Sequence, residues 1–278
     1  MNTFSLNIKG RLMVFEAPII MGILNLSPES FYDGGKNNSF NNALKNCEKL
    51  IEEGATIIDI GAQSTKPGTD ILNSTEEIKR VELILIEIRK KFPDTLFSID
   101  TFKSDVALMA IDNGIDILND ISAGENDPKM IHLSARNQLP FIAMHKKGTI
   151  SNMQDNPQYD NVVLEVYQYL HQKINDLKEK NVNDVILDLG FGFGKTIEHN
   201  YQLFNNLNLF SNLNAPILVG VSRKSMIYKL LETNVEHALN GTTVLNTIAI
   251  MKNASILRVH DVKEAAESIK ILNYLKQY

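Results

Sequence analysis

Polar side chains that could bind a ligand recur along the chain, each at or just after the end of a short apolar run. Asp100, Asn119 and Asp188 carry carboxylate or amide groups, which could pair with the donors and acceptors of a flat heterocycle. A second set is basic and could hold an anion such as pyrophosphate. Its members are Lys66, Arg223, Lys224 and Arg258, with His260 as a further candidate. The two sets together fit a polar heterocycle with an anionic group better than an apolar ligand.

Eight apolar runs rich in β-branched residues predict the strands that position these groups. Their near-continuous hydrophobicity is typical of parallel strands covered on both faces. The predicted strands are Ile19–Leu24, Thr56–Ile60, Thr95–Ile99, Ile115–Leu118, Leu139–Met144, Asp184–Leu189, Ile217–Val221 and Ser255–Val259.

Helical segments separate these runs. The clearest starts with a capping-box pattern at Ser74–Glu77 and stops at Pro93, and another extends from Tyr159 to Lys180. Eight strand–helix units predict an α/β fold, a single (β/α)8 TIM barrel over residues 18–278, with a doubly wound open sheet as the alternative. Phe4–Phe15 predicts an N-terminal β-hairpin within residues 1–17, and the whole chain, 1–278, is predicted to be one domain.

The barrel would bring the polar residues together. Chemistry in such barrels takes place at the carboxyl ends of the strands, and here polar residues follow all eight. Any one of them could instead cap the next helix. The recurrence after every strand is what favours a ligand site at the mouth of the barrel.

Composition limits the classes of partner. Hydrophobic residues make up 44% of the chain and charged residues 22%, and the net charge is −5. Without a basic block there is no electrostatic case for nucleic acid. No apolar stretch reaches the length of a membrane span and the N-terminus lacks a secretion signal, so we expect a cytoplasmic protein. The one cysteine, Cys47, is expected to be a small core residue.

The segment Gly190–Thr196 resembles a phosphate-binding loop but fails its spacing. A P-loop needs four residues between its first glycine and Gly-Lys-Thr, and Gly190 leaves three. A dinucleotide-binding pattern fails too, because Ile197 stands where the third glycine would be. The glycines still predict tight turning or close backbone approach. Lys195 and Thr196 are predicted to cap the next helix.

The combined motifs resemble the dihydropteroate synthase family along essentially the whole chain. The first signature is Met21–Gly35, and the second is Gly54–Gly61 followed by Ser64–Gly68. Shorter segments follow in the family's order, namely Ser98–Thr101, Asn119–Ser122, Met144–His145, Asp188 with Gly192–Thr196, Ser222–Lys224 and Arg258–Asp261. The resemblance implies a TIM-barrel transferase that joins a dihydropterin pyrophosphate to p-aminobenzoate by dissociative, Mg2+-assisted loss of pyrophosphate. It also implies a homodimer and a target of sulfonamides, which mimic p-aminobenzoate.

The resemblance also implies roles for individual residues. Asp100, Asn119 and Asp188 would bind the pterin edge, where Lys224 would contact the ring and support binding of the second substrate. Arg258 would stack on the pterin and hold the pyrophosphate. His260, Lys66 and Asn25 would hold the pyrophosphate together with Arg258. Asn25 would also bind Mg2+. The catalytic set would thus be Asn25, Lys224, Arg258 and His260.

The p-aminobenzoate site would be bordered by residues from several segments, namely Ser64, Thr65, Lys66, Pro67, Phe193 and Ser225. Phe31 and Asp33 lie on the family's first mobile loop, and residues 64–67 on its second. His145 is left out of the catalytic set, because a histidine at a strand end is more often a hydrogen-bonded structural group. Asp59 is expected to support the barrel or the second loop.

Two alternatives remain at this point. A methyltetrahydrofolate-dependent methyltransferase would share the Asp–Asn–Asp pterin set but would not need a group of residues for pyrophosphate. A non-catalytic barrel could keep the pocket as a binding module. Polar residues at every strand end argue against the second alternative, and synthesis of dihydropteroate would exclude both.

Position 66 departs from the family pattern, and Gln63 does so as well. Many members have Glu at the position of Gln63 and Arg at that of Lys66. Lysine keeps the charge but loses the planar guanidinium fork that grips phosphate through two bonds. We therefore predict that Lys66→Arg leaves pterin binding unchanged and alters the KM for p-aminobenzoate. Steady-state kinetics of the two proteins measure this, and identical constants would defeat the hypothesis.

Overall fold

The structure, a computed structural model, describes residues 3–26, 36–63, 71–149, 152–153 and 156–278, with the backbone alone for 36–39. Six residues of the predicted site lie outside the described residues. They are Phe31, Asp33, Ser64, Thr65, Lys66 and Pro67. The remaining predicted site residues all lie within the described ranges.

Eight parallel strands form a closed barrel, which confirms the predicted TIM barrel and excludes the open sheet. In chain order, after the two strands of the N-terminal hairpin, they are β3 (Ile19–Asn25), β4 (Ile57–Gly61), β5 (Leu96–Asp100), β6 (Ile117–Asp120), β7 (Phe141–Met144), β8 (Val185–Asp188), β9 (Ile217–Val219) and β10 (Ile256–Val259). Each overlaps one of the eight apolar runs. Strand β10 pairs with both β3 and β9 and so closes the barrel.

Helices connect the strands. They are α1 (Lys36–Glu52), α2 (Ser74–Lys91), α3 (Ser104–Asp112), α4 (Lys129–Asn137), α5 (Val162–Glu179), α6 (Ile197–Asn205), α7 (Ser225–Tyr228), α8 (Leu239–Met251) and α9 (Val262–Leu275), with 3-10 turns at Leu207–Leu213 and Val235–His237. Cys47 is fully buried in α1, as expected for a small core residue. Of the helices in the described part of the chain, none combines the length and the apolarity needed to cross a bilayer.

Two helix starts differ from the sequence prediction. The cap of α2 is Asn73, whose Oδ1 accepts from the Glu76 amide at 2.9 Å, rather than the predicted capping box at Ser74. Thr196 caps α6 as predicted, through a reciprocal pair of bonds with His199. Lys195, which was expected to share that role, is instead buried. Its side chain folds back toward the preceding loop, and Nζ donates to the carbonyl oxygens of Gly190 and Phe193.

The barrel interior has an apolar lower layer. Strand residues alternate between the inside and the helix-covered outside. The inward positions nearest the amino ends of the strands form one apolar cluster, including Ile19, Met21, Ile57, Leu96, Ile117, Ile142, Ile186, Leu218 and Ile256. Two positions further along β4, β5, β6 and β10 stand polar residues, at Asp59, Ser98, Asn119 and Arg258. The interior therefore changes from hydrocarbon to polar groups toward the carboxyl ends.

The predicted N-terminal hairpin closes the bottom of the barrel. Strands β1 (Phe4–Ile8) and β2 (Arg11–Phe15) join through Lys9-Gly10, which both have positive φ, as a tight two-residue hairpin turn requires. Leu6 and Ile8 add to the apolar interior cluster.

Asp116 fastens the hairpin to the barrel. Its carboxylate binds Lys9 Nζ at 3.0 Å, the Arg89 guanidinium, and the Phe97 amide at 2.9 Å. The side chain of Asp116 is largely buried, so its loss would leave Arg89 Nη2 and the buried Phe97 amide without this acceptor. Asp116 therefore joins the hairpin, α2 and β5.

We predict that Asp116→Ala lowers the free energy of unfolding by about 2–4 kcal/mol, the usual range for breaking a buried, hydrogen-bonded ion pair. Urea denaturation measures the loss. Asp112→Ala, at an exposed aspartate near the end of α3, is the matched control and should change stability by less than about 0.5 kcal/mol. Equal effects of the two substitutions would contradict the anchoring role.

Candidate active site

Strand register aligns polar residues side by side at the mouth of the barrel. Asn25 on β3 pairs with Gly61 on β4, Gly61 pairs with Asp100 on β5, and Asp100 pairs with Asn119 on β6. Further round, Asp188 on β8 pairs with Met144 on β7. The register thus places Asn25, Gly61, Asp100 and Asn119 in one row, although they are far apart in sequence. Asp188 lies two residues further along β8 than Ile186, which is in register with Asn119 through Ile142.

These residues line a cavity of about 470 Å3 at the carboxyl ends of the strands. Its polar or charged lining residues are Asn25, Gln63, Asp100, Asn119, Asp188, Ser222, Arg223, Lys224, Arg258 and His260. Its apolar walls include Ile23, Ile121, Met144, Phe193 and Val235. Polar groups set in apolar walls are typical of a site for a small, flat, polar ligand.

Asp59 organises the floor of this site although it does not line the cavity. It is fully buried on β4, and its Oδ2 accepts from Arg258 Nε at 2.7 Å and from Asn119 Nδ2 at 3.0 Å. Arg258 Nη2 also donates to Asp100 Oδ2 at 2.8 Å. The sequence prediction gave Asp59 a supporting role for the barrel or second loop; the structure assigns it the orientation of two cavity residues. The sequence did contain a signal for this role. Asp59 is two residues from both Ile57 and Gly61 on β4, so it shares their inward face of the barrel.

The charges on the floor shift each other's pKa. Burial raises the pKa of Asp100 to about 7; the positive charge of Arg258 opposes this shift, and the negative charge of Asp59 adds to it. Burial acts to lower the pKa of Arg258, but Asp59 and Asp100 raise it well above its usual value. Arg258 is therefore a permanent cation, while Asp100 is able to take up a proton near neutral pH.

Asp188 and Lys224 lie on the other side of the cavity. Asp188 Oδ1 accepts from the Gly190 amide at 2.8 Å, and burial raises the pKa of its carboxyl. Lys224 Nζ donates to the carbonyl of Phe191 and lies 4.7 Å from the centroid of the Phe193 ring. Burial lowers the pKa of Lys224 to about 8, against the opposing charge of Asp188. The lysine thus stays mostly protonated at neutral pH beside an aromatic wall.

His260 stands at the rim as a neutral group. Its Nδ1 lies 3.0 Å from Ser222 Oγ, which also accepts from the His260 amide at 3.2 Å. His260 is exposed by accessible surface, and the partial desolvation of its ring, followed by the positive charge of Arg258, keeps its pKa below the usual value. Without a bound anion the ring is therefore a hydrogen-bonding group rather than the additional cation considered from the sequence. Ser222, which no sequence motif had assigned a role, fixes its orientation.

Arg223 is engaged by a neighbouring carboxylate. Its Nε and Nη2 donate to the two oxygens of Asp261 at 2.9 and 2.6 Å, a bidentate pair. The Arg223 backbone has a φ of 55°, and its amide donates to Thr242 Oγ1 at 3.0 Å. This pair connects the β9 and β10 loops. It leaves Lys224 and Arg258 as the main cations of the described cavity.

Most of the predicted site residues converge as expected. Those that line the cavity are Asn25, Asp100, Asn119, Asp188, Phe193, Lys224, Arg258 and His260. Ser225 begins α7 next to Lys224 but is not among the described lining residues. His145, which was set aside, is buried and likewise does not line the cavity.

Comparison with known proteins gives consistent matches. Residues 21–260 match the family described as pterin binding enzyme. The dihydropteroate synthase of Haemophilus influenzae is 42% identical over 256 residues, covering 91% of this chain and 92% of the relative. The structure of Yersinia pestis dihydropteroate synthase with a sulfonamide drug superposes with a TM-score of 0.91 at 36% identity, covering 99% of both chains. Xanthomonas albilineans dihydropteroate synthase with 4-aminobenzoic acid gives 0.92 at 31% identity, covering 100% of both.

We predict that the carboxyl of Asp100 titrates near neutral pH. Its pKa of about 7 in the folded protein exceeds that of an unfolded chain, about 3.9, so ionisation of Asp100 disfavours the folded state. Its contribution to the free energy of unfolding should therefore fall as the pH rises from about 4 to about 7. Carboxyl 13C NMR, with Asp100→Asn to assign the signal, measures the titration.

The matched variant is Asp59→Asn. This substitution removes the negative charge of Asp59, which raises the pKa of Asp100, and Asp100 becomes the one carboxylate paired with Arg258. The pKa of Asp100 should therefore fall. A signal that titrates below about pH 5 in the unmodified protein, or one that does not move in Asp59→Asn, would contradict the proposed coupling of the floor charges.

Proposed function

The chain belongs to the dihydropteroate synthases within the family of pterin-binding enzymes, and we propose that it joins a dihydropterin pyrophosphate to p-aminobenzoate, releasing dihydropteroate and pyrophosphate. The observation that carries the proposal is the convergence of Asp100, Asn119, Asp188, Lys224 and Arg258 on one cavity. The 4-aminobenzoic acid in the Xanthomonas structure supports the choice of the second substrate.

The cavity floor suits the pterin. A pterin presents N–H donors and ring acceptors along one edge, and carboxylates and an amide are matching partners. Asn119 donates to Asp59 through its nitrogen, which fixes the amide and directs its oxygen elsewhere. Asp188 is held by the Gly190 amide through Oδ1, which leaves its other oxygen for the ligand. Two preset acceptors favour a ligand with donors at a fixed spacing.

The rim suits the pyrophosphate. Asn25 ends β3 and is exposed, and His260 is oriented by Ser222. Arg258 uses Nε and Nη2 for Asp59 and Asp100, so Nη1 is the part of its fork that would face a phosphate. A bound pyrophosphate would raise the pKa of His260, because an anion stabilises the protonated ring. These groups would stabilise the charge that develops on the leaving group.

The proposed Mg2+ site rests on Asn25. In the described part of the chain, no group of three or more His, Cys, Asp or Glu side chains is arranged to hold a metal ion. A single amide oxygen fits Mg2+, which commonly takes its other ligands from water and substrate phosphates. When bound, the ion would neutralise charge on the pyrophosphate as it leaves.

The reaction would proceed without a covalent enzyme intermediate. The bond between the exocyclic CH2 carbon and the pyrophosphate oxygen breaks, and its electron pair leaves with the pyrophosphate. The amine nitrogen of p-aminobenzoate then forms the new C–N bond and loses a proton. Lys224, between Asp188 and the Phe193 ring, lies where the two substrates would meet and would position both. Phe193 would pack against the aromatic amine.

We also expect a homodimer. Exposed apolar side chains on the adjacent outer helices favour such an interface, and they include Val244 and Met251 on α8 and Ile271 and Leu275 on α9. This expectation, like the cytoplasmic location, stays a prediction.

We predict that the purified protein forms dihydropteroate from the two substrates and that a metal chelator abolishes the activity until Mg2+ is restored. Asp188→Ala should lower kcat/KM at least about 100-fold, because it removes a buried acceptor for the pterin. The exposed Asp112→Ala is the matched control and should keep full activity.

A sulfonamide should compete with p-aminobenzoate in the same assay. No product from folded protein would refute the proposal, and activity unaffected by the chelator would refute the role of Mg2+.

A further inference from the structure

Two buried ionisable groups beside the cavity take no part in the proposed chemistry. Lys195 and His145 are 3% and 5% exposed. Lys195 ends the glycine-rich loop after β8, and His145 directly follows β7. A buried lysine is costly unless its ammonium group is fully hydrogen-bonded, so its partners indicate why it is there.

The ammonium group of Lys195 joins both parts of the loop to the neighbouring strand end. Its Nζ lies 2.8 Å from the carbonyl oxygen of Gly190 and 3.2 Å from that of Phe193. The third partner is Nδ1 of His145, at 3.0 Å. A fourth and longer contact joins Nζ to the carbonyl oxygen of His145 at 3.4 Å, so the three donors of the ammonium form are fully used. Burial lowers the pKa of Lys195 to about 7, against the opposing charge of Asp188.

The backbone of this loop packs directly on the end of β7. Gly190 has a φ of 66°, and a Cβ atom there would lie 1.8 Å from the carbonyl oxygen of His145. Gly194 has the same φ, and a Cβ there would lie 2.2 Å from the carbonyl oxygen of Lys147. No side chain fits between the two segments. Lys195 Nζ lies 3.4 Å from the carbonyl oxygen of His145 and is a donor that reaches this close contact.

The upper side of the same loop faces the cavity. Phe193 lines it, and the Phe191 carbonyl accepts from Lys224 Nζ. The Gly190 amide donates to Asp188. Three contacts with the site thus originate from a loop whose underside is held by one buried ammonium group.

We propose that Lys195 and His145 act as a positioning pair, which fixes the loop of residues 189–196 and thereby sets Phe193 and Lys224 against the p-aminobenzoate half of the cavity. The kinetic part of this inference rests on the proposed function. Neither residue touches substrate, so their effect is on geometry alone. Asp188 lies on β8, before the loop, and receives one hydrogen bond from the loop, through the Gly190 amide.

The protonation state of His145 agrees with this arrangement. Burial lowers the pKa of His145 to about 2, with the positive charge of Lys195 next in importance. The neutral ring therefore accepts from Lys195 through Nδ1, and the proton is assigned to Nε2 by this hydrogen bond. The ring edge packs against Tyr169, with centroids 5.0 Å apart.

Lys195→Met removes the three donors while keeping an unbranched side chain. We expect the KM for p-aminobenzoate to rise about 10-fold or more and kcat to fall, because small displacements of positioning groups have large kinetic effects. The affinity for the pterin pyrophosphate, measured by calorimetry, should fall by a smaller factor, because Asp100, Asn119 and the backbone of Asp188 belong to barrel strands. Amide hydrogen exchange at residues 190–194 should become faster. Lys90→Met, at an exposed lysine of α2, is the matched control and should behave as the unmodified protein.

His145 offers a conservative test in case Lys195→Met does not fold. His145→Asn places an amide oxygen near the position of Nδ1 and should keep the KM for p-aminobenzoate close to normal. His145→Leu removes the acceptor and should raise it. A purely structural role would lower the Tm in both variants without separating their KM values or their exchange rates at 190–194.

Two results would overturn the inference. One is a folded Lys195→Met protein with normal KM for p-aminobenzoate and normal exchange at 190–194. The other is identical behaviour of His145→Asn and His145→Leu. If the unmodified protein forms no dihydropteroate, the proposed function fails by itself, and the exchange rates of the variants still decide whether the pair holds the loop.

Discussion

The hydrogen-bonded carboxylate of Asp59 is the constraint on which the site depends. A carboxylate without access to water costs several kcal/mol unless it is paired, and here Arg258 and Asn119 both donate to the same oxygen. Its other oxygen has no hydrogen-bond partner within the described residues. Because Arg258 also reaches Asp100, one arginine links β4, β5 and β10, and Asn119 adds β6. Closure of the barrel is what brings these four strand ends within reach.

The barrel divides the two tasks of stability and chemistry along its axis. The lower interior is a continuous apolar layer sealed by the N-terminal hairpin, and the strand ends above it carry charge. Burial of charges beside one another raises the pKa of Asp100 and lowers that of Lys224. Such groups destabilise the fold locally, and the apolar layer offsets this. The arrangement presets acceptors and cations before a ligand arrives, as electrostatic catalysis requires.

The sequence predicted the barrel well, because buried parallel strands are short apolar runs that need no tertiary information to be recognised. It also predicted which residues meet at the mouth, since Asp100 and Asp188 end their strands and Asn119 is the next-to-last residue of β6. It did not predict how they are held. The pairing of Asp59 with Arg258 spans 199 residues, and no local pattern encodes it. Lys195 was predicted to cap a helix. Its burial could not be predicted, because it depends on how closely the glycine-rich loop approaches the end of β7.

Asp59 does not line the cavity, so it should act on the ligand through the side chains that it orients, Asn119 and Arg258. A double-mutant cycle with Asp59→Asn and Asn119→Ala tests the Asn119 part, with the affinity for the pterin pyrophosphate measured by calorimetry. Because Asp59 orients Asn119, the two losses should overlap, with a coupling energy above about 1 kcal/mol. Losses that add to within about 0.5 kcal/mol would contradict the claim and would show that the two residues affect binding independently.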